Sequence, residues 1–369
     1  MDGCMLCPRR CGAYRNGEEG RGFCRMPETM RIARIAPHLW EEPPISGERG
    51  TGAVFFSGCT LRCVYCQNAD ISHRGLGRPF TPEQLADSLR RLVDLGCPTV
   101  SFITATPFVP QILKALSIYR PPVPLVWNTS GYETVETLRA LNPDVIAVVA
   151  YGKILPQRVL DIPPKGCINI HASILPQLRG SGPVQWAILR GFRETGVTAM
   201  YMAAKMDAGD MIEARRTPID PEENAQSLLD RLAQIGGDLL ADTLSRLEAG
   251  PVEGTPQNEA EATYAPMLTK DLCPIDWEKT PLEIKNQVRG LDPWPVATME
   301  LEGRRFRVYQ VAISDKTTKA APGTVLGLTK TGLELACGGG GVVEVRTLQA
   351  DGGKRMAAPD YFRGHPLGK

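Results

Sequence analysis

Apolar and polar positions change their period along the chain. Residues 1–50 show little periodicity and are rich in Cys, Gly, Pro and Arg. From residue 52 strand and helix patterns alternate. Residues 54–56, 99–103, 123–127 and 145–150 read as short apolar strands. Behind Thr81-Pro82-Glu83-Gln84, an N-cap, a first-turn proline and a capping-box glutamine, Leu85, Leu89, Leu92 and Val93 recur at helical spacing, and Gly96 closes the element. Residues 109–118 and 135–141 predict two further helices. Three βα units in a row imply parallel strands with helices packed on them.

Residues 167–171 and 197–202 predict a fifth and a sixth strand. A long helix is expected over 220–249, with Asp220 as cap, Pro221 at the first position and Glu223 completing a box. Leu228, Leu232, Ile235 and Leu239 form its stripe. Gly236-Gly237 is a candidate kink, and Gly250-Pro251 ends it. Residues 251–265, rich in Pro, Gly, Thr and Glu, read as a linker. Alternating runs at 296–301, 305–311, 324–328, 333–337 and 342–348 then predict a small β-barrel. Gly338 to Gly341 is a hairpin turn rather than a phosphate loop, since no helix follows it. There is no internal repeat.

The length of 369 residues is a prior of two or three domains. With 43% hydrophobic and 22% charged residues the composition is that of a globular protein, and a net charge of +1 leaves any nucleic-acid contact to a local patch. Cysteine use changes the picture more. Seven of eleven cysteines fall in the first 66 residues: Cys4, Cys7, Cys11, Cys24, Cys59, Cys63 and Cys66. The N-terminus has neither the basic nor the apolar region of a signal peptide, and no apolar run is long enough for a membrane span. A cytoplasmic protein is therefore expected, and clustered thiols in a reduced compartment read as metal ligands.

Cys59, Cys63 and Cys66 form a C-x3-C-x2-C triad directly after the first predicted strand. Three thiolates hold three irons of a [4Fe–4S] cluster and leave the fourth open to a small molecule; the alternative is a zinc knuckle lacking one ligand. The triad, with the context Trp40-Glu41-Glu42-Pro43-Pro44-Ile45-Ser46-Gly47, Phe55-Phe56-Ser57-Gly58, Gln67-Asn68 and Asn128-Thr129-Ser130-Gly131-Tyr132, resembles radical S-adenosylmethionine enzymes of the branch related to pyruvate formate-lyase activating enzymes. The resemblance covers residues 1–140. It implies that Cys59, Cys63 and Cys66 ligate the cluster and that S-adenosylmethionine chelates the open iron. Two departures stand out. Thr104-Ala105-Thr106-Pro107 replaces the usual Gly-Gly-Glu, and only three βα units precede the change of pattern, fewer than a barrel needs. Cys4, Cys7, Cys11 and Cys24, spaced C-x2-C-x3-C-x12-C, can close a second site around an ion or cluster; the alternative is reduced, unligated thiols.

A second candidate site lies at residues 166–176. Asn169 and His171 stand two apart on one strand and project from the same face, at the strand end where open α/β sheets place their sites. An imidazole that takes a proton from an attacking amine, beside an amide that donates to an oxyanion, suits acyl transfer. Asp207 is the carboxylate candidate to set the charge state of the histidine. By spacing alone, a structural histidine explains the pattern as well. The runs Val149–Pro156, Asn169–Pro176, Arg179-Gly180, Glu194–Thr198, Asp207–Met211 and Asp292–Pro295 resemble the methionyl-tRNA formyltransferase family from about residue 138 to the end. The resemblance implies formyl transfer from 10-formyltetrahydrofolate to the α-amine of initiator methionyl-tRNA. In it Asn169, His171 and Asp207 are catalytic, Ser173, Ile174, Leu175 and Pro176 bind folate, and Tyr151 and Gly152 line the pterin pocket. The C-terminal barrel is then the tRNA-contacting domain, with Lys270, Lys279, Lys285, Arg289, Arg304, Arg305 and Arg307 as candidate phosphate contacts. Residues 255–369 carry 15 basic and 14 acidic residues, so these charges also fit a solvated face. The family's opening βαβ half, about 90 residues, is absent.

The expected fold is α/β: partial radical-SAM-type βα repeats run into a partial formyltransferase Rossmann-like sheet, followed by the barrel. The divisions are a Cys-rich metal-braced lobe at 1–50, a truncated radical SAM region at 51–140, a truncated catalytic region at 141–254 and the tRNA-contacting domain at 265–369. If the imported units replace the missing half-sheet, one sheet of five or more parallel strands results. Three readings follow: a formyltransferase with a replaced N-terminal half, a radical S-adenosylmethionine protein with a passenger tail, and a chimera without activity. The sequence is silent on oligomeric state.

Overall fold

The computed structural model describes residues 3–39, 41 and 43–367. Trp40 and Glu42 of the motif at 40–47 lie outside the described residues. The chain divides into two compact units, Met1–Ile146 with Leu155–Gly166, and Ala147–Ile154 with Cys167–Lys369. Among the described residues, no helix is long and apolar enough to cross a membrane.

The first unit is built on one five-stranded sheet in the order β3-β1-β2-β4-β5. β2 (Thr51–Phe56), β4 (Val100–Ile103) and β5 (Leu125–Asn128) run parallel, as the βα pattern predicts. Two further strands are a correction. β1 (Met30–His38), inside the region read as aperiodic, pairs antiparallel with β2 and with β3 (Arg78–Phe80). Met30 and Ile32 are buried, but a register shift between Ile32 and Arg34 breaks the two-residue alternation that would announce the strand.

Helix α1 (Pro82–Asp94) opens as its sequence predicts: Thr81 Oγ1 accepts from the Gln84 amide, and the Gln84 side chain accepts from the Thr81 amide. Its Leu85, Leu89 and Leu92 are buried on the sheet, each contributing about 1.5–3 kcal/mol. Helix α2 (Val109–Ile118) buries Val109, Ile112 and Ala115. The Phe56 ring lies 6.3 Å from Phe102 and 6.0 Å from Phe108 at the centre of this core. Helix α3 (Val135–Leu141) is capped by Thr134 and stops at Asn142, whose φ of +47° is the left-handed turn of a helix C-terminus. The Thr134 amide and Thr137 Oγ1 donate to the Leu6 carbonyl at 3.2 and 2.9 Å, so the Cys-rich lobe grips this helix.

The second unit holds two sheets. β6 (Ile146–Val149), β7 (Cys167–His171), β8 (Glu194–Tyr201) and β9 (Met211–Pro218) form one of them in chain order. The expectation of one long parallel sheet is corrected here. The parallel ladder ends at β5, and the β7–β8 and β8–β9 ladders are antiparallel. The short connection between β8 and β9 closes only an antiparallel pair. Helix α4 (Pro183–Leu189) and helix α5 (Ala225–Ala249) belong to the same core.

Helix α5 starts later than predicted. Asn224, not Asp220, caps it, accepting from the Ser227 amide. Residues 220–223 instead close a turn in which the Glu222 amide donates to Asp220 Oδ1 and the Asp220 amide donates to Glu223 Oε1. Gly236-Gly237 does not interrupt the helix. A Cβ at Gly236 would stand 3.0 Å from Ile170 Cγ2, so this glycine lets the helix approach β7.

Residues 251–265 are not a loose linker. They form a strap with bridges from Thr255 to Met211 and from Tyr264 to Arg179. The strap leads into an antiparallel sheet in the order β10-β11-β14-β13-β12: β10 (Ala297–Leu301), β11 (Arg304–Thr317), β12 (Val325–Leu328), β13 (Leu333–Cys337) and β14 (Gly341–Ala350), with β15 (Met356–Ala357) beside β14. No ladder joins the ends, β10 and β12, among the described residues, so the expected barrel is an open sheet. Helix α6 (Pro281–Leu291) and helix α7 (Ala358–Gly364) cover its core of Phe306, Val308, Leu335, Val343 and Leu348. The glycine tract turns the β13–β14 hairpin, with Gly339 and Gly340 at φ of +70° and +71°.

Candidate active site

β7 places Asn169 opposite Met200 and His171 opposite Thr198 of β8. His171 is buried and both ring nitrogens face a partner. Nε2 lies 2.9 Å from the Leu178 carbonyl, and Nδ1 lies 3.7 Å from Asp207 Oδ2. A carbonyl oxygen only accepts, so the network assigns the hydrogen to Nε2 and leaves Nδ1 as the basic nitrogen. Asp207 also accepts from the Gly180 amide at 2.8 Å, and its backbone is left-handed, at φ +47°. Asn169 is half-buried, with no hydrogen bond to its side-chain amide among the described residues. The geometry thus brings the carboxylate of Asp207 to the imidazole of His171, with Asn169 two residues earlier on the same strand.

Ser173 to Pro176 follow β7. Ser173, Leu175 and Pro176 are buried, and Ile174 is half-buried. Thr198 Oγ1 donates to the Ser173 carbonyl at 2.7 Å and accepts from the Leu175 amide at 3.2 Å, while Ser173 Oγ donates to the Gln177 carbonyl at 2.6 Å. This segment presents its backbone and Ile174 more than open side-chain surface. Tyr151 and Gly152 are exposed beyond β6.

Sequence reasoning missed the residues that hold the constellation. Arg179, fully buried, donates from Nε and Nη2 to Gln257 Oε1 at 3.0 and 2.8 Å and from Nη2 to Glu259 at 2.9 Å. Arg179 and Lys205 beside Glu259 hold its carboxyl down to about 2. Nothing in the composition of 251–265 marks Gln257. Among the basic candidates, Lys285 pairs with Glu222, and Arg289 donates to the Asp220 and Glu223 carbonyls, so both are engaged within the chain. Arg304, Arg305 and Arg307 are exposed on β11.

In the first unit, Cys59, Cys63 and Cys66 lie half-buried on the loop after β2, and Ser72 Oγ donates to Cys66 Sγ at 3.3 Å. Three thiols on one loop beyond the end of a parallel strand fit a cluster in donor chemistry. Cys4, Cys7, Cys11 and Cys24 line one cavity of about 20 Å³ together with Leu6, Arg9, Phe23, Thr60 and Pro107. Burial pushes the Cys7 and Cys24 thiols up, and the neighbouring cysteines add to it. Among the described residues, no three His, Cys, Asp or Glu side chains stand together closely enough to hold a metal ion.

Residues 128–244 match the formyl transferase family model and residues 267–366 its C-terminal domain, while residues 53–150 match the radical SAM superfamily. The methionyl-tRNA formyltransferase of Geotalea uraniireducens is 43% identical over 298 residues, 78% of this chain and 94% of that protein. That of Acetivibrio thermocellus is 43% identical over 238 residues, 64% of this chain and 76% of the relative. The structure of HypX from Aquifex aeolicus in complex with tetrahydrofolic acid aligns with a TM-score of 0.50 at 20% identity, over 69% of this chain and 44% of HypX. This likeness concerns the fold alone, and the chain spans less than half of HypX. On the sequence matches and the site geometry together, the chain belongs to the methionyl-tRNA formyltransferase family, with a radical-SAM-like segment joined ahead of it.

Proposed function

We propose that this chain transfers the formyl group of 10-formyltetrahydrofolate to the α-amine of initiator methionyl-tRNA in the cytoplasm. The observation that carries the reading is the approach of Asp207 to His171 Nδ1 beside the uncommitted amide of Asn169. The amine nitrogen attacks the formyl carbon and forms the new C–N bond. Asn169 donates to the oxyanion, and the proton shed by the amine passes to His171 Nδ1, directly or through one water. Asp207 faces the positive charge that forms on the ring. Collapse breaks the bond from carbon to the folate nitrogen, which takes the proton back. Ser173, Ile174, Leu175 and Pro176 bind the folate, Tyr151 and Gly152 line its pterin pocket, and the sheet from residue 265 on contacts tRNA through Arg304, Arg305 and Arg307. A single-turnover assay of the full chain with both substrates is expected to yield formyl-methionyl-tRNA, with His171→Ala and Asn169→Ala slower by about 100-fold or more. A folded chain that transfers nothing, or His171→Ala at full rate, overturns the reading.

We also propose that Cys59, Cys63 and Cys66 hold a [4Fe–4S] cluster that binds S-adenosylmethionine, and that Cys4, Cys7, Cys11 and Cys24 close on one metal ion. The family match over 53–150 supports the first. The convergence of four thiols on one small cavity supports the second. Such a cluster, when bound, supplies one-electron chemistry at its open iron. Anaerobic reconstitution with iron and sulfide, followed by metal and sulfide analysis, tests both. Loss of sulfide in Cys59→Ser with the other metal retained is the expected result, and a protein that takes up neither refutes both assignments.

A further inference from the structure

We infer that Gln257, on the strap at 251–265, is a positioning residue for the imidazole of His171. The inference rests on the acyl-transfer reading of that site and adds to it the group that sets the carboxylate.

Gln257 is half-buried and uses both ends of its amide. Oε1 accepts two N–H groups from the buried Arg179, at 3.0 and 2.8 Å. Nε2 donates to the Asp207 carbonyl at 2.8 Å and to the Gly209 carbonyl at 2.7 Å. These bonds pin the main chain at Asp207 and just after it, where Asp207 adopts φ +47°. The orientation of Asp207 Oδ2 toward His171 Nδ1 follows from that backbone.

The strap also fixes the other ring partner. The Leu178 carbonyl, which accepts from His171 Nε2, sits between two points of attachment. The Leu178 amide donates to Thr263 Oγ1 at 2.9 Å, and the Arg179 amide donates to the Thr263 carbonyl at 2.9 Å. One stretch of chain therefore holds both groups that decide which ring nitrogen carries the hydrogen. Gln257 acts on the side of the basic nitrogen, Thr263 on the side of the donor.

The test uses the full chain and two variants. Gln257→Leu keeps the size and removes the hydrogen bonds of the amide; Gln257→Glu keeps the bonds from Arg179 and loses the donation to the Asp207 and Gly209 carbonyls. Both are expected to lower the rate of formyl transfer by at least about tenfold, to leave KM for the folate within about threefold, and to displace the acidic limb of the pH–rate profile. In 15N spectra of histidine-labelled protein, the His171 resonances are expected to move in both variants. Circular dichroism checks that the variants fold. Folded variants with unchanged His171 resonances overturn the inference, as does a lower rate with an unmoved pH profile. If the wild-type chain transfers no formyl group, the proposed reaction fails while the nitrogen resonances still decide the role of Gln257.

Discussion

At Gly196, in β8, an added Cβ would stand 2.1 Å from the Arg215 carbonyl and 2.4 Å from Ile174 Cδ1. Neither can be accommodated without a shift, and Ile174 belongs to the segment proposed to bind folate. Gly196→Ala is expected to cost about 1–3 kcal/mol and to weaken folate binding; urea denaturation with a folate titration measures both, and an unchanged midpoint speaks against the contact. Glu259 gives a test in pH. Its hydrogen bonds from Arg179 and Lys205 place the folded pKa at about 2, below the ordinary glutamate value of about 4.3. The contribution of this carboxylate is therefore complete above about 4.3 and is lost as the pH falls toward the folded value. A carbon-13 titration of Glu259 is expected to show its midpoint near that value, and to move up in Lys205→Ala; a midpoint near 4.3 in the intact chain refutes the pairing. At this scale the sequence is readable where a side chain carries its own chemistry. Asn169, His171 and Asp207 stand in specific motifs. Gln257 and the Leu178 carbonyl do not, because an amide and a main-chain oxygen acquire their roles only from the path of the strap.

Among the elements, helix α5 separates what pattern decides from what packing decides. Its stripe of Leu228, Leu232 and Leu239 is legible as helical spacing and is buried. Its start is not, because Asp220-Pro221-Glu222-Glu223 has the composition of a cap yet closes a separate turn. Asn224→Ala is expected to cost about 0.5–2 kcal/mol, since it removes the cap. It also removes the hydrogen bond from Asn224 Nδ2 to Asp292 Oδ2. The two central glycines part company. Gly237 has open space where a Cβ would go, so Gly237→Ala is expected to stabilise by about 0.5–1 kcal/mol. Gly236→Ala forfeits that gain against Ile170 Cγ2 at 3.0 Å. Thermal unfolding of the two variants ranks them, and the reverse order refutes the close approach to β7. β1 shows the opposite failure. The strand is real, but its register shift and its arginines leave no alternation to read.

For the whole molecule, the skew of cysteines toward the first 66 residues coincides with a division of structure. The family matches overlap at residues 128–150, where helix α3 leads into β6. Local agreement makes the join possible; it does not merge the two sheets. Helix α3 stays with the first unit through its bonds to Leu6, and β6 pairs into the second sheet. Among the described residues, the ladder of β2, β4 and β5 and the sheet of β6 to β9 are separate sheets. The triad of Cys59, Cys63 and Cys66 and the constellation of Asn169, His171 and Asp207 therefore draw their support from different hydrogen-bond networks and different cores. It follows that the two chemistries separate by mutation. Cys59→Ser is expected to abolish sulfide uptake and leave formyl transfer within about twofold, because additivity holds for sites that share no partners. His171→Ala is expected to do the reverse. The check is a pair of assays on each variant, sulfide content after reconstitution and single-turnover formyl transfer. A Cys59→Ser chain that takes up no sulfide and has also lost formyl transfer overturns the independence of the two sites.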